Sequence, residues 1–167
     1  MRRWLLTLLA LALLAGAAGC ARQEEEAEYV LYFPVSEAVK HGPALDTQPY
    51  EGEEDPDVEA LLEALLAGPT REGLASPFPR GVSAVQWTLG EDGTLLVTFS
   101  EQYSGLADIS LTLADYCVVL TLCQLDGIEG VEIRSAGYSV NYRSHQLLRP
   151  EEAEFSLTGQ SGLDKTS

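Results

Sequence analysis

The sequence predicts an α+β two-layer sandwich, with two helices packed on one face of a mixed, mostly antiparallel sheet. Three observations carry this expectation. Residues 85–99 alternate apolar and polar positions on either side of Gly90-Glu91-Asp92-Gly93, a hairpin pattern. Two segments, near 58–66 and 113–123, repeat apolar residues at helical spacing. The elements run β-(β)-α-β-β-α-β, and laying both helices on one sheet face is the simplest way to bury them.

Glu28 to Pro34 (EYVLYFP) alternates apolar β-formers and is closed by Pro34, so it reads as the first strand. Ser36 to Pro43 is weakly patterned loop, and Ala44 to Tyr50 suits a short second strand. Asp55-Pro56 is placed to open a helix over Pro56 to Ala67, as cap and first helical residue. Val58, Leu61, Leu62, Leu65 and Leu66 make one stripe along it. The early acids Asp57, Glu59 and Glu63 suit the helix dipole, and Gly68-Pro69 stops the helix.

Thr70 to Gly81 is a Pro/Gly-punctuated connection, extended around Ser76-Pro77-Phe78-Pro79. The hairpin follows, with Val85, Trp87 and Leu89 on one arm and Leu95, Val97 and Phe99 on the other. Ser100 to Asp108 is loop. Ser110 to Gln124 is an apolar helix through Leu113, Tyr116, Cys117, Leu120 and Cys123. Val118, Val119 and Leu122 lie off that stripe, so burial on more than one side is expected. Val131 to Ala136 is the last clear strand, and Tyr138, Val140 and Tyr142 suit an edge strand. The organisation expected is an address at 1–19, a tether at 20–27, one domain at 28–150 and a polar tail at 151–167.

The chain has 167 residues, 26 acidic against 10 basic, for a formal charge of −16. Too few cations are available to neutralise nucleic-acid phosphates or to hold anionic lipid through a basic patch. The charge is unevenly placed. Residues 1–20 contain Arg2 and Arg3 and no acid, leaving 8 basic residues against 26 acidic ones, a formal −18, beyond them. Arg2-Arg3, an apolar run from Trp4 to Leu14, and the small residues 15–19 make a secretory signal pattern. That run falls short of the ~20 residues that a spanning helix needs.

Ala17-Ala18-Gly19-Cys20 resembles the lipobox of bacterial lipoprotein precursors, although Ala17 stands where Leu is more usual. The resemblance implies that the Cys20 thiol carries the lipid and that the protein sits at the cell membrane, anchored on the extracytoplasmic face. Two or three acyl chains, at about 0.8 kcal/mol per buried CH₂, hold firmly without a basic patch. An ordinary secreted protein cut near Gly19 is the alternative.

Cys117 and Cys123 lie six apart on a predicted helix, about 9 Å of rise with side chains diverging. A disulfide needs Cα atoms within about 7 Å, so both are expected as small buried residues.

No catalytic, metal or cofactor-binding set assembles from the sequence. His41 and His145 stand apart in predicted loops, and the nucleophile-elbow, dinucleotide, phosphate-loop and zinc-protease motifs are absent. Glu51/Glu53/Glu54/Asp55/Asp57 and Glu91-Asp92-Gly93 are oxygen-rich, yet neither alternates ligands around a glycine towards a bidentate Glu as a Ca²⁺ loop does.

Several stretches, taken in order, resemble the GerMN-domain lipoproteins associated with spore germination and sporulation. They are Tyr29-Val-Leu-Tyr-Phe-Pro34, Ala60-Leu-Leu-Glu-Ala-Leu-Leu-Ala-Gly-Pro69 and Gly73-Leu-Ala-Ser-Pro-Phe-Pro-Arg-Gly81. To these are added Gly93 to Ser100 with Tyr103, and Thr121-Leu-Cys-Gln-Leu-Asp-Gly-Ile-Glu-Gly-Val131. Together they cover roughly residues 28–140, in one copy where some members carry two. The resemblance implies a non-enzymatic extracytoplasmic domain of the ring-building type, with protein partners or copies of itself, and with no catalytic residues to carry over.

Two further readings stay open. One is an extracytoplasmic lipoprotein binding a small molecule or cell-wall glycan near Ser76 to Phe78, with Trp87 and the tyrosines as lining. The other is an envelope hydrolase using paired carboxylates.

Overall fold

The computed structural model describes residues 28–36, 43–137 and 147–157. The predicted signal and tether, Cys20, both histidines, and the edge strand expected at Tyr138, Val140 and Tyr142 lie outside the described residues.

The architecture is α+β, as the sequence predicts, built on two sheets. β1 (Val30–Pro34) and β2 (Leu45–Pro49) pair antiparallel by themselves. β3 (Ala84–Leu89), β4 (Thr94–Phe99), β5 (Gly130–Ser135) and β6 (Leu147–Leu148) form the main sheet in the order β3-β4-β5-β6. Its β4–β5 pairing is parallel and the other two are antiparallel. A parallel pair needs a long crossover, supplied here by a 3₁₀ turn (Glu101–Gly105) and the central helix. The helices are α1 (Val58–Ala67), α2 (Asp108–Leu122) and α3 (Pro150–Leu157).

α1 starts two residues later than the sequence suggests. Asp57, not Asp55, is the cap: its Oδ1 accepts the Ala60 N–H at 2.9 Å, which makes Val58 the first helical residue. The stripe is as expected, with Val58, Leu61, Leu62 and Leu65 buried and Leu66 half-buried. Gly68 ends the helix at φ 88°, a conformation that favours glycine.

α2 is buried on several sides, as its apolar character off the stripe predicts. Leu111, Ala114, Tyr116, Cys117, Val118, Val119 and Leu122 are all buried. The helix packs on β5 and β6, on β1, on α1 and on α3. It covers the inner face of the main sheet, where Leu95, Val97, Phe99 and Val131 are fully buried. The opposite sheet face carries the half-buried Thr98, Glu132 and Arg134, with Arg134 Nη2 at 2.7 Å from Glu132 Oε1.

β1 does not join the main sheet because side chains of α2 and the turn after it occupy its free edge. Gln124 Oε1 accepts the Val30 N–H at 3.0 Å, and Gln124 Nε2 donates to the Val30 carbonyl at 2.7 Å. Thr121 Oγ1 accepts the Tyr32 N–H at 3.2 Å. On the far side, Gln48 Oε1 accepts the N–H groups of Thr70 and Arg71, and Arg71 pairs with Asp46 at 3.0 Å.

α3 is a third helix where the sequence reading places the start of a polar tail. Pro150 is its first residue, and Glu152 Oε2 reaches back to the Arg149 N–H at 3.2 Å. This is half of a capping box with proline at the first position. Ala153 is buried at its contact with α2.

Under α2, Phe78, Phe99 and Tyr103 form an aromatic cluster, with Phe99 stacked on Tyr103 at a centroid distance of 4.7 Å. The Tyr103 hydroxyl donates to Asp115 Oδ1 at 2.7 Å in the buried interior. Desolvation, then the neighbouring Asp115, pushes the Tyr103 phenol well above its usual range.

Both described thiols are free. Burial raises the Cys117 thiol strongly, and burial together with nearby Glu151 raises Cys123 to about 11. Groups that stay protonated in the fold but ionise at about pH 8.5 when unfolded make stability fall with rising pH. Urea midpoints are therefore expected to hold steady up to pH 8 and to decline from pH 9 upward. Both thiols should also react slowly with Ellman's reagent at pH 8 until urea is added. Fast labelling of the native protein at both sites contradicts the burial argument.

Candidate functional site

The hairpin places apolar residues where they are not covered. Trp87 lies opposite Val97, and Leu89 opposite Leu95, so all four share the inner face of the sheet. Val97 and Leu95 are fully buried, but Trp87 and Leu89 remain 41% and 43% exposed. The difference is lateral position. α2 lies over β5 and β6, whereas β3 is the outermost strand and projects beyond the helix layer. Val85, at an irregularity in the β3–β4 register, is 58% exposed.

Between β3 and α1 this leaves a cleft of about 660 Å³. Its apolar wall is Leu62 and Leu66 on α1 with Val85 and Trp87 on β3, and Glu59 and Glu63 stand at its rim. Among the described residues no basic side chain lines it. On the other side of α1 lies a second cleft of about 810 Å³ against β2 and the loop before the helix. Glu51, Glu53, Asp55, Asp57, Glu59 and Glu63 all line it, so α1 presents carboxylates in both directions. Such a field opposes anionic ligands and favours cationic ones.

The free edge of β3 adds a backbone component. The Gly90 N–H donates to the Thr94 carbonyl at 2.9 Å, so the hydrogen-bonded pairs of this ladder fall at Gln86, Thr88 and Gly90. The backbone groups of Trp87 and Leu89 therefore point away from β4, towards the side on which no described strand pairs.

The residues singled out from sequence are distributed otherwise. Glu51, Glu53, Asp55 and Asp57 line the larger cleft, but among the described residues no three His, Cys, Asp or Glu side chains converge on a metal position. Asp92 serves the hairpin turn: the Thr94 N–H donates to its Oδ1 at 3.1 Å, and that hydrogen bond lowers its pKa. Phe78, suggested as part of a ligand site, is instead packed on Phe99 and Tyr103. Trp87, suggested as lining of a ligand site, lines the smaller cleft. The free strand edge has no sequence signal, because alternation does not say which strand is outermost. Among the described residues no helix is long and apolar enough to cross a membrane.

Comparison with solved structures identifies the fold. The first GerMN domain of the sporulation protein GerM from Bacillus subtilis superposes with a TM-score of 0.53 at 21% identity, covering 73% of this chain and 93% of that one. The tandem GerMN domains of the same protein give a TM-score of 0.51 at 21% identity over 72% of this chain. This chain spans 43% of the tandem structure. No curated protein matches the chain. The sequence profile of the Germane family, described as sporulation and spore germination, matches residues 30–141, more than half of the chain. With the fold and the profile in agreement, the chain belongs to the Germane family of sporulation and spore germination domains.

Proposed function

We propose that this protein is a non-enzymatic interaction module, held on the extracytoplasmic face of the membrane by a lipid on Cys20. Its role is to dock protein partners in a sporulation, germination or other cell-envelope complex. The observation that carries this reading is the uncovered apolar arm of the hairpin, Val85, Trp87 and Leu89. Exposed apolar groups clustered on an unpaired strand edge mark an interaction surface or an aggregation hazard, and selection removes the hazard unless the surface is used. Family membership supports the process, and the lipobox-like Ala17 to Cys20 supports the anchor. The small-molecule alternative draws less support, since the Phe78 ring near its suggested site is taken up by the aromatic cluster.

Affinity purification from the native host's membranes in mild detergent tests the reading. A discrete envelope protein is expected to co-purify with the full-length chain. The Cys20→Ala chain is expected to leave the detergent phase and appear in the aqueous one. Recovery of no partner under these conditions argues against an interaction module, and membrane partitioning of Cys20→Ala argues against the anchor.

A further inference from the structure

We infer that the cleft between α1 and β3 takes an extended, basic-apolar segment of a partner protein, which adds as a strand to the free edge of β3. This rests on the interaction-module reading and specifies its partner chemistry. Three independent features converge. The backbone N–H and C=O groups of Trp87 and Leu89 face the free edge, ready to pair with an added strand. The side chains of the same two residues lie on the inner sheet face and are about two-fifths exposed, so an added strand gains apolar neighbours on that face.

The third feature is charge. The cleft carries Glu59 and Glu63 at its rim with no basic side chain in its lining among the described residues, and Glu91 and Asp92 stand at the hairpin tip beyond Leu89. A strand entering here lies in the field of carboxylates on the α1 side and at the hairpin tip. Its inward-facing apolar residues cover Trp87 and Leu66, while Lys or Arg residues elsewhere along it are drawn by that field without contacting Glu59 or Glu63 directly. Trp87 also offers an aromatic face to a cation. A second copy of this chain is the poorer occupant, because it brings a formal charge of −16 and the same acidic rim against itself.

Labelled nine-residue peptides added to the full-length protein give the test, read by fluorescence anisotropy. One peptide alternates Val with Lys, a second alternates Val with Glu, and a third is the Lys peptide N-methylated at alternate residues. The Val/Lys peptide is expected to bind, weakening at least tenfold in the Val/Glu and N-methylated forms and several-fold between 50 and 300 mM salt. Glu59→Gln/Glu63→Gln, two exposed positions that leave the core intact, should weaken the Lys peptide several-fold, and Trp87→Ser at least tenfold. Circular dichroism checks that both variants remain folded.

Equal binding of the Lys and Glu peptides overturns the charge argument. Equal binding of the N-methylated peptide overturns strand addition. Undiminished binding to Trp87→Ser moves the site elsewhere, and absence of Lys-peptide binding overturns the proposal outright. If a partner still co-purifies with Trp87→Ser from native membranes, the interaction-module reading stands and only this surface fails.

Discussion

Replacing Phe99 with alanine is expected to cost about 3–5 kcal/mol of folding stability, the range for a fully buried aromatic side chain. Phe99 is completely buried at the end of β4, stacked on Tyr103 and 6.1 Å from the Phe78 ring. Its removal takes one of three mutually packed rings out of the cluster that joins the connection after α1, the main sheet and the 3₁₀ turn. Tyr103 cannot move in to fill the space, because its hydroxyl is tied to Asp115 at 2.7 Å. Domains of this size are stable by about 5–15 kcal/mol, so Phe99→Ala should unfold at low urea concentration. Phe99→Leu, which keeps most of the volume, should lose clearly less. A loss under about 1 kcal/mol for the alanine variant, measured by urea denaturation, would show that the cluster is not central to the core.

Replacing Gln124 with alanine has the next largest effect, about 2 kcal/mol, and it should be local. Two backbone groups of Val30 lose their partners at once, and each uncompensated buried group costs about 1–3 kcal/mol, reduced here by partial exposure. The expected signature is faster amide exchange in β1 and β2 with little change in β4 and β5, because the β1–β2 hairpin is tied to α2 by side chains and not by a ladder. Thr121→Val should reproduce a smaller part of the effect through the Tyr32 N–H. If exchange in β4 and β5 rises as much as in β1, the hairpin does not open independently and the account of its attachment is wrong.

Much of this architecture was legible in the sequence, for a physical reason. Local periodicity records burial on one face, and burial is decided element by element. Val58, Leu61, Leu62 and Leu65 announce α1 because one stripe faces the core, and Val118, Val119 and Leu122 announce that α2 is surrounded. Leu95, Val97 and Phe99 announce β4 in the same way. The resemblance to the GerMN domains, carried by the order of these stretches, is matched by the family profile and the fold.

Other features left no mark on the apolar periodicity, some because they turn on single local hydrogen bonds and one because it joins distant segments. The cap of α1 fell to Asp57 because its carboxylate meets the Ala60 N–H, a choice between neighbouring acids that composition cannot make. α3 was hidden in a polar stretch, its one early signal being Pro150 followed by Glu152. β1 reads as a strand, yet no local pattern says that Gln124, 94 residues away, will take its edge.

The candidate site shows the division most clearly. The alternation of Val85, Trp87 and Leu89 determined that Trp87 and Leu89 share a face with the core. Only the tertiary structure decided that the face is bare there. Whether an apolar face is covered depends on where the helices end relative to the outermost strand, and that is set by packing across the whole sheet and not by the strand's own residues.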